Sequence, residues 1–261
     1  MSEFVRFGLI VTGKGESEFL DRLFRVLTTL AACHFEVIRR VGQLSPRTST
    51  KKRNLRMPGR GGELIPKDIS QIGFPARKWL RDHGEDAFVM LIDDLEWDRR
   101  GVREQIFTRY REAFNVLEDA EQQRVGVFFL VMMLEAYYFA DPAAIEGVLS
   151  VTLRAPEGDD VEDKRHPKNE LRDLYPGFSE IQHGREIVAK LDLERVLSDP
   201  KTCAALRTAT AWCHRALRLE LGEQFNLAEG ALCPVTGAQI EALAQARAVP
   251  GLSGQPAGLD Q

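Results

Sequence analysis

The sequence lacks the cysteine spacing of a zinc module or of a disulfide-bonded domain. Its four cysteines, Cys33, Cys203, Cys213 and Cys233, are scattered over 261 residues and include no Cys-x-x-Cys pair. It also lacks an apolar run of the roughly 20 residues that a membrane-spanning helix needs. The N-terminus shows no pattern of a secretory signal. We therefore expect a cytoplasmic protein that does not associate with a membrane.

An excess of positive charge is absent as well. The formal net charge is −4, whereas proteins that coat nucleic acid through bulk electrostatics are usually basic. Any nucleic-acid role must therefore depend on a local patch or on a bound metal ion. Hydrophobic residues make up 44% and charged residues 28% of the chain, and this balance is typical of a globular protein with a sizeable core.

Short apolar segments alternate with amphipathic ones in the first 150 residues. Short, largely apolar segments predict strands at 4–11 and 35–41, and uniformly apolar runs predict buried strands at 87–92 and 125–133. Helical spacing of apolar residues predicts helices at 16–32, 67–83 and 102–123. Because strands that alternate with helices form βαβ units, we expect an α/β fold with a mostly parallel sheet flanked by helices.

The second part of the chain has a different pattern. We predict an α/β domain at 1–150 and, packed on it, a helical C-terminal extension at 151–261 that ends in a flexible tail. Short helices are predicted at 169–174 and 183–188, and a longer amphipathic helix at 200–221. This extension is a candidate lid, homodimer surface or docking platform.

Acidic residues follow three of the predicted strands, where an open α/β sheet places its functional residues. Carboxylates that converge repel one another, and a divalent cation with oxygen ligands relieves that repulsion. The sequence therefore predicts a Mg²⁺ or Mn²⁺ site. The predicted ligands are Glu16, Asp93, Asp94, Glu96, Asp98 and Glu135. Alternatively, the glycine turn before Glu16 only starts a helix, the later acids lie in a solvated turn, and Glu135 pairs with a basic side chain.

A basic segment at 42–66 is a candidate phosphate-binding arm, and a solvated loop is the alternative interpretation. It holds no aromatic residue on which bases could stack. The predicted phosphate-binding residues are Arg53 and Arg56 in this segment, together with Lys14 and Lys168.

Several motifs together resemble an uncharacterised bacterial family, domain of unknown function 4276. They are Gly-Lys-Gly-Glu-Ser-Glu-Phe-Leu at 13–20, Asp-Leu-Glu at 94–96, Glu-Ala-Tyr-Tyr-Phe-Ala-Asp at 135–141, Pro-Lys-Asn-Glu-Leu at 167–171, His-Gly at 183–184 and Leu-Asp-Leu at 191–193. The resemblance covers roughly residues 5–220. The core of this family looks like a Toprim domain, and its members are often encoded beside an ATPase, as are related nucleases of phage defence.

The resemblance implies catalytic roles for Glu16, Asp94 and Glu96. Toprim domains hold Mg²⁺ with a glutamate after the first strand and an Asp-x-Asp after a later strand. Here Thr12 stands where the first glutamate of the usual Glu-Gly-x-Thr-Glu pattern is found, and Glu16 matches the second. The Asp-x-Asp is changed to Asp94-x-Glu96. Threonine cannot act as a carboxylate base, so this departure bears on catalysis rather than on the fold.

Two functions remain open at this point. The first is a Mg²⁺-dependent nuclease or other phosphodiester-processing protein that acts on nucleic acid, in a defence system with an ATPase partner. The second is a catalytically degenerate Toprim-like subunit that binds or regulates an ATPase-associated complex. A response-regulator receiver domain fits less well, because its acidic pair follows the first strand and here the pair follows the third.

Overall fold

The computed structural model describes residues 4–42, 54–55, 65–153, 160–221, 225, 227 and 232–248. Its strands are β1 Val5–Val11, β2 Cys33–Arg40, β3 Asn54–Leu55, β4 Ile65–Pro66, β5 Ala87–Leu95 and β6 Val125–Val131. Its α-helices are α1 Lys14–Phe19, α2 Arg25–Leu30, α3 Phe74–His83, α4 Arg103–Ala113, α5 Asp119–Gln122, α6 Pro142–Leu149, α7 Pro167–Leu174, α8 Gln182–Lys190, α9 Leu193–Ser198, α10 Ala204–Ala216 and α11 Ala238–Ala248.

The four long strands form one parallel sheet in the order β2-β1-β5-β6. All nine residues of β5 and all seven of β6 are buried, as expected for strands whose two faces are both covered by helices. The prediction of an α/β fold with a parallel sheet flanked by helices is confirmed. In the described part of the chain, no helix is long and apolar enough to cross a membrane.

Each face of the sheet has its own apolar core. On one face, the ring of Trp212 in α10 packs against Phe7, Phe88 and Phe128, with ring centroids 6.4, 5.8 and 5.5 Å apart. On the other face, α4 buries Tyr110 against the strands. Because α10 covers a face of the sheet, the C-terminal helices share a core with the first 150 residues. The domain boundary at residue 150 stays a prediction.

The helix predicted at 16–32 is interrupted. A 3₁₀ turn, Leu20–Phe24, separates α1 from α2, and it buries Leu20, Leu23 and Phe24. An apolar spacing of three residues fits a 3₁₀ turn as well as an α-helix, so the sequence pattern could not reveal the break. A 3₁₀ turn also precedes α4, and the helix predicted at 102–123 is divided into α4 and α5.

Residues 238–248 form helix α11 within the predicted helical extension, and the chain end, where the flexible tail was predicted, lies outside the described residues. The side-chain amide of Gln239 in α11 accepts from the backbone N–H of Val127 at 2.9 Å and donates to its carbonyl at 2.7 Å. Gln239 thus makes the two backbone hydrogen bonds that a neighbouring strand would make, and it covers the edge of β6.

Two short parts of the basic segment, β3 and β4, pair as antiparallel strands. Arg53 and Arg56 lie outside the described residues.

Candidate functional site

Asp93 and Asp94 point to opposite faces of the sheet. The strand was predicted to end at Ile92, but β5 continues to Leu95. Successive side chains of a strand alternate between faces. Asp94 therefore lies on the same face as Met90, and Asp93 lies on the same face as Leu91. Met90 and Leu91 belong to the two different apolar cores. The paired acids of the sequence thus belong to two separate environments.

Asp93 is fully occupied by neighbouring donors. The guanidinium of Arg99 contacts its two carboxylate oxygens at 3.2 and 2.5 Å. The Tyr110 hydroxyl donates to it at 3.0 Å and the Thr12 hydroxyl at 2.8 Å. Asp93 is 0% exposed, so this charge is tolerated because it is paired and hydrogen-bonded. The geometry gives Asp93 a structural role beneath the sheet edge and does not bring it to the other acids.

Asp94 meets Glu16 on the opposite face. Both carboxyl groups are buried, at 6% and 3% exposure. Burial, the charge of Glu16 and a hydrogen bond with Glu16 together raise the pKa of Asp94 well above its ordinary value. Asp94 therefore keeps its proton to a higher pH than an ordinary aspartate does. Among the described residues, the Glu16 Oε2 atom has no hydrogen-bond partner.

The turn between β1 and α1 brings Glu16 to this position. A Cβ atom at Gly13 would lie 1.8 Å from Glu16 Oε2, so the glutamate folds back over a space that only glycine leaves free. The next glycine, Gly15, has ordinary room: its Cβ would lie 3.6 Å from Phe19 and 4.0 Å from Leu134. The Lys14 side chain, a predicted phosphate ligand, lies outside what the structure describes.

Glu135 and Lys168 lie near Asp94 and Glu16 and act on their charges. Lys168 Nζ lies 3.5 Å from Glu135 Oε1 and 3.2 Å from Glu180 Oε2. Burial raises the pKa of Glu135 to about 7, although the charge of Lys168 acts against this shift. Burial lowers the pKa of Lys168, but the charges of Glu135 and Glu180 outweigh it, and the pKa is raised. At neutral pH the lysine is therefore a fixed positive charge beside a carboxyl group that titrates.

A strained turn after β6 connects Glu135 with Asp94. Met132 and Met133 adopt positive φ angles of 60° and 73°, which side-chain-bearing residues rarely adopt and which occur most often at functional sites. The turn directs the backbone N–H of Leu134 to Asp94 Oδ1 at 3.2 Å. The following 3₁₀ turn, Leu134–Ala140, then carries Glu135 inward.

Tyr138 is a site residue that the sequence analysis missed. In a 3₁₀ turn, residues three apart lie on the same side, so Tyr138 follows Glu135 into the cluster. It is 0% exposed, and its hydroxyl has no hydrogen-bond partner among the described residues. Burial raises its pKa well above the ordinary value, and the charges of Glu135 and Asp94 add to the effect. The three-residue spacing was visible in the sequence, but it reveals Tyr138 only when the turn is known to be 3₁₀.

The structure brings together Glu16, Asp94, Glu135 and Lys168, which we name the acidic cluster. Glu96 and Asp98 follow the end of β5 and are exposed; they do not join it. Glu180, which pairs with Lys168, was also missed, because nothing in the sequence places this loop residue near Glu135.

The profile of one protein family, described as "Domain of unknown function (DUF4276)", matches residues 11–209. The chain belongs to the DUF4276 family. The match spans the turn that holds Glu16, the strand that holds Asp94 and the helix that holds Lys168. A search of curated proteins found no match.

One solved structure found for this DUF4276 chain is the C-terminal region of the Burkholderia pseudomallei OLD protein. The two share 14% sequence identity with a TM-score of 0.42, and the alignment covers 82% of this chain and 100% of the other.

The DUF4276 chain offers oxygen donors for a cation, but they are not arranged as a finished site. Within the described ranges, no three His, Cys, Asp or Glu side chains are grouped so that they could hold a metal ion together. Two carboxyl groups are in contact, however, and one buried oxygen each of Glu16 and Glu135 has no hydrogen-bond partner in the described part of the chain. Mg²⁺ keeps most of its waters and needs only one or two carboxylates from a protein. The donor set therefore fits Mg²⁺ or Mn²⁺ and does not suit zinc.

Proposed function

We propose that this DUF4276 protein processes phosphodiesters with a divalent cation, as a Toprim-like nuclease or a related phosphotransfer enzyme. One observation supports it above all: Glu16 and Asp94, from two adjacent strand ends, bury their carboxyl groups against each other. Such contact costs free energy through desolvation and repulsion, and clusters of this kind are typical of functional sites. The arrangement also resembles Toprim domains, which place a glutamate after the first strand and an aspartate after a later one.

Glu16 and Asp94 would hold the cation, with Glu135 next to it. A Mg²⁺ or Mn²⁺ ion at this position would activate a water molecule and stabilise negative charge on the scissile phosphate. Cation binding would favour the ionised form of Asp94, whose pKa is raised in the free protein, because a metal ion binds the ionised carboxylate. Binding should therefore become tighter as the pH rises.

The remaining residues of the cluster have complementary roles. Lys168 is charged and 28% of its side chain is exposed, so its ammonium group can contact a phosphate oxygen from the solvent side. Glu135 has a pKa of about 7, which suits a group that accepts and returns a proton near neutral pH. The Tyr138 hydroxyl, which has no hydrogen-bond partner among the residues that the structure describes, can donate to an oxygen that enters the cluster.

The test is cleavage of supercoiled plasmid and of single-stranded DNA with Mg²⁺ or Mn²⁺. Wild-type protein should nick the substrate, and chelation of the metal should stop it. Asp94→Asn and Glu16→Gln should lower the rate at least about 100-fold, the usual scale for loss of a group that stabilises charge in the transition state. The exposed Glu112 in α4 supplies the control: Glu112→Gln should cleave at the wild-type rate. Cleavage that survives in Asp94→Asn would contradict the proposal.

Glu96 needs a variant of its own, because the sequence predicts it as catalytic while its side chain is exposed outside the cluster. Glu96→Gln should keep most of the activity if Glu16 and Asp94 hold the cation alone. A loss as large as that of Asp94→Asn would show that Glu96 moves into the cluster when the substrate binds.

A catalytically silent subunit is the second candidate function, and Thr12 favours it. Thr12 stands where a Toprim domain has a glutamate, and its buried hydroxyl is engaged by Asp93 and by the backbone N–H of Asp94 at 3.3 Å. In this case the protein would co-purify with an ATPase encoded beside it and would cleave no DNA or RNA even in that complex.

A further inference from the structure

Trp97 is an exposed tryptophan beside the acidic cluster. The chain has three tryptophans; Trp79 and Trp212 are buried at 8% and 1% exposure, whereas Trp97 is 42% exposed. It lies in the 3₁₀ turn Trp97–Val102 that follows β5. An exposed indole ring is a surface on which an unpaired base can stack, so Trp97 marks a candidate binding surface.

Two arginines accompany the ring. The guanidinium of Arg165 lies 4.7 Å from the ring centroid of Trp97, and that of Arg100 lies 6.0 Å away. Arg100 is held in place by an ion pair with Asp163 at 2.8 Å. Arg165 is exposed. We name Trp97, Arg100 and Arg165 the aromatic patch.

Two short stretches of chain join the aromatic patch to the acidic cluster. Trp97 follows Asp94 by three residues, and Arg165 precedes Lys168 by three residues. Three residues of extended chain span at most about 11 Å. Two segments that are far apart in the sequence therefore each supply one residue to the cluster and one to the patch.

We propose that the aromatic patch binds single-stranded nucleic acid, with one base stacked on Trp97 and the neighbouring phosphates contacted by Arg100 and Arg165. This proposal rests on the proposed function, since a strand held here would pass the acidic cluster. A base inside a duplex does not offer its face to a side chain, whereas an unpaired base does. The patch thereby supplies the aromatic residue that the basic segment at 42–66 lacks.

Stacking would provide more of the affinity than charge. Glu96 and Asp98 are exposed beside Trp97, and Arg100 is already paired, so the surface is not strongly basic. Two arginines that neutralise two phosphates predict a shallow salt dependence, with a slope of log K against log salt of about −1.4 for a single strand. This agrees with a protein whose net charge is −4.

Binding is measured with a labelled oligo(dT) in EDTA, where no cleavage occurs, by fluorescence anisotropy and by quenching of tryptophan fluorescence. The wild-type protein should bind and be quenched. Trp97→Leu should bind about fivefold more weakly or worse, from the stacking of one base, and Trp97→Phe should recover most of the affinity. The control is Phe4, which is 45% exposed with Arg6 4.8 Å from its ring but lies at the amino end of β1. Phe4→Leu should bind as the wild type does.

Three outcomes would overturn the proposal: equal affinity of Trp97→Leu and wild type, tighter binding of duplex than of single strand, or binding of a protein partner but not of oligo(dT) through Trp97. The proposed function is judged separately. Metal-dependent cleavage that Asp94→Asn abolishes, combined with unchanged binding by Trp97→Leu, refutes the patch alone. Binding through Trp97 by a protein that cleaves nothing supports the patch and refutes the nuclease.

Discussion

At the scale of single residues, two adjacent aspartates have opposite physical situations. Asp93 is neutralised by Arg99 and accepts hydrogen bonds from Tyr110 and Thr12. Asp94 is buried against Glu16, a group of the same charge. The first arrangement stabilises the fold. The second costs free energy through desolvation and repulsion, and a bound cation would relieve that cost.

Replacing each aspartate by asparagine separates these roles. Asp93→Asn removes the negative charge that compensates the buried Arg99 guanidinium and should lower the free energy of unfolding by about 3 kcal/mol or more. Asp94→Asn removes the repulsion with Glu16 and keeps an acceptor for the Leu134 N–H, so it should raise the free energy of unfolding at pH 8. Chemical denaturation in EDTA measures both. A large loss of stability in Asp94→Asn would mean that Asp94 is structural too.

The raised pKa of Glu135 makes the stability of the protein depend on pH. Its pKa is about 7 in the folded protein, above its ordinary value of 4.5, so between these values the folded state binds more protons than the unfolded state. The free energy of unfolding therefore falls as the pH rises from about 4.5 to about 7. Glu135→Gln removes this contribution. As the pH rises from 4.5 to 8, the wild type should therefore lose on the order of 3 kcal/mol of unfolding free energy relative to Glu135→Gln. A constant difference would show that Glu135 has an ordinary pKa.

At the scale of elements, the turn between β1 and α1 fixes the position of Glu16. A methyl group at Gly13 would occupy the place of Glu16 Oε2, although the Gly13 backbone, with φ −102° and ψ 172°, suits any residue. Gly13→Ala should therefore fold but displace Glu16, and it should weaken Mn²⁺ binding about tenfold or more, the scale of losing one charged ligand contact. Calorimetric titration measures this change.

Gly15→Ala is the matched control for that experiment. It lies within α1, its methyl group meets only ordinary contacts, and alanine favours a helix over glycine by roughly 0.5–1 kcal/mol. Mn²⁺ affinity should stay at the wild-type level and stability should rise slightly. Equal Mn²⁺ affinities in Gly13→Ala and Gly15→Ala would show that the turn does not position a ligand.

The sequence predicted the elements better than it predicted where they end. Uniformly apolar runs identified β5 and β6, because burial on both faces requires them, whereas the edge strand β2 carries exposed charged residues and was found from a mixed segment. The predicted end of β5 was wrong, because the sequence analysis ended the strand before the polar Asp93 and Asp94. In the structure both aspartates belong to the strand, with hydrogen-bond donors beside Asp93 on one face and Glu16 beside Asp94 on the other. That difference decides which aspartate reaches the cluster, because a strand alternates its faces.

At the scale of the whole molecule, the cluster is assembled from both parts of the chain. Glu16, Asp94 and Glu135 come from the parallel sheet and its connections, whereas Lys168 lies on α7. The sequence predicted the three acids together, since the carboxyl ends of parallel strands meet at one edge. It could not place Lys168 beside Glu135 or find Glu180, because these contacts depend on how the later helices pack.

The most direct test of the account is a crystal structure of the protein soaked with Mn²⁺, with anomalous diffraction to locate the ion. The account predicts one anomalous peak in contact with the carboxylates of Glu16 and Asp94, and its loss in Asp94→Asn. A peak at the exposed Glu96 or Asp98 instead, or no peak near Glu16 at a concentration that saturates Mn²⁺ binding in solution, would contradict it.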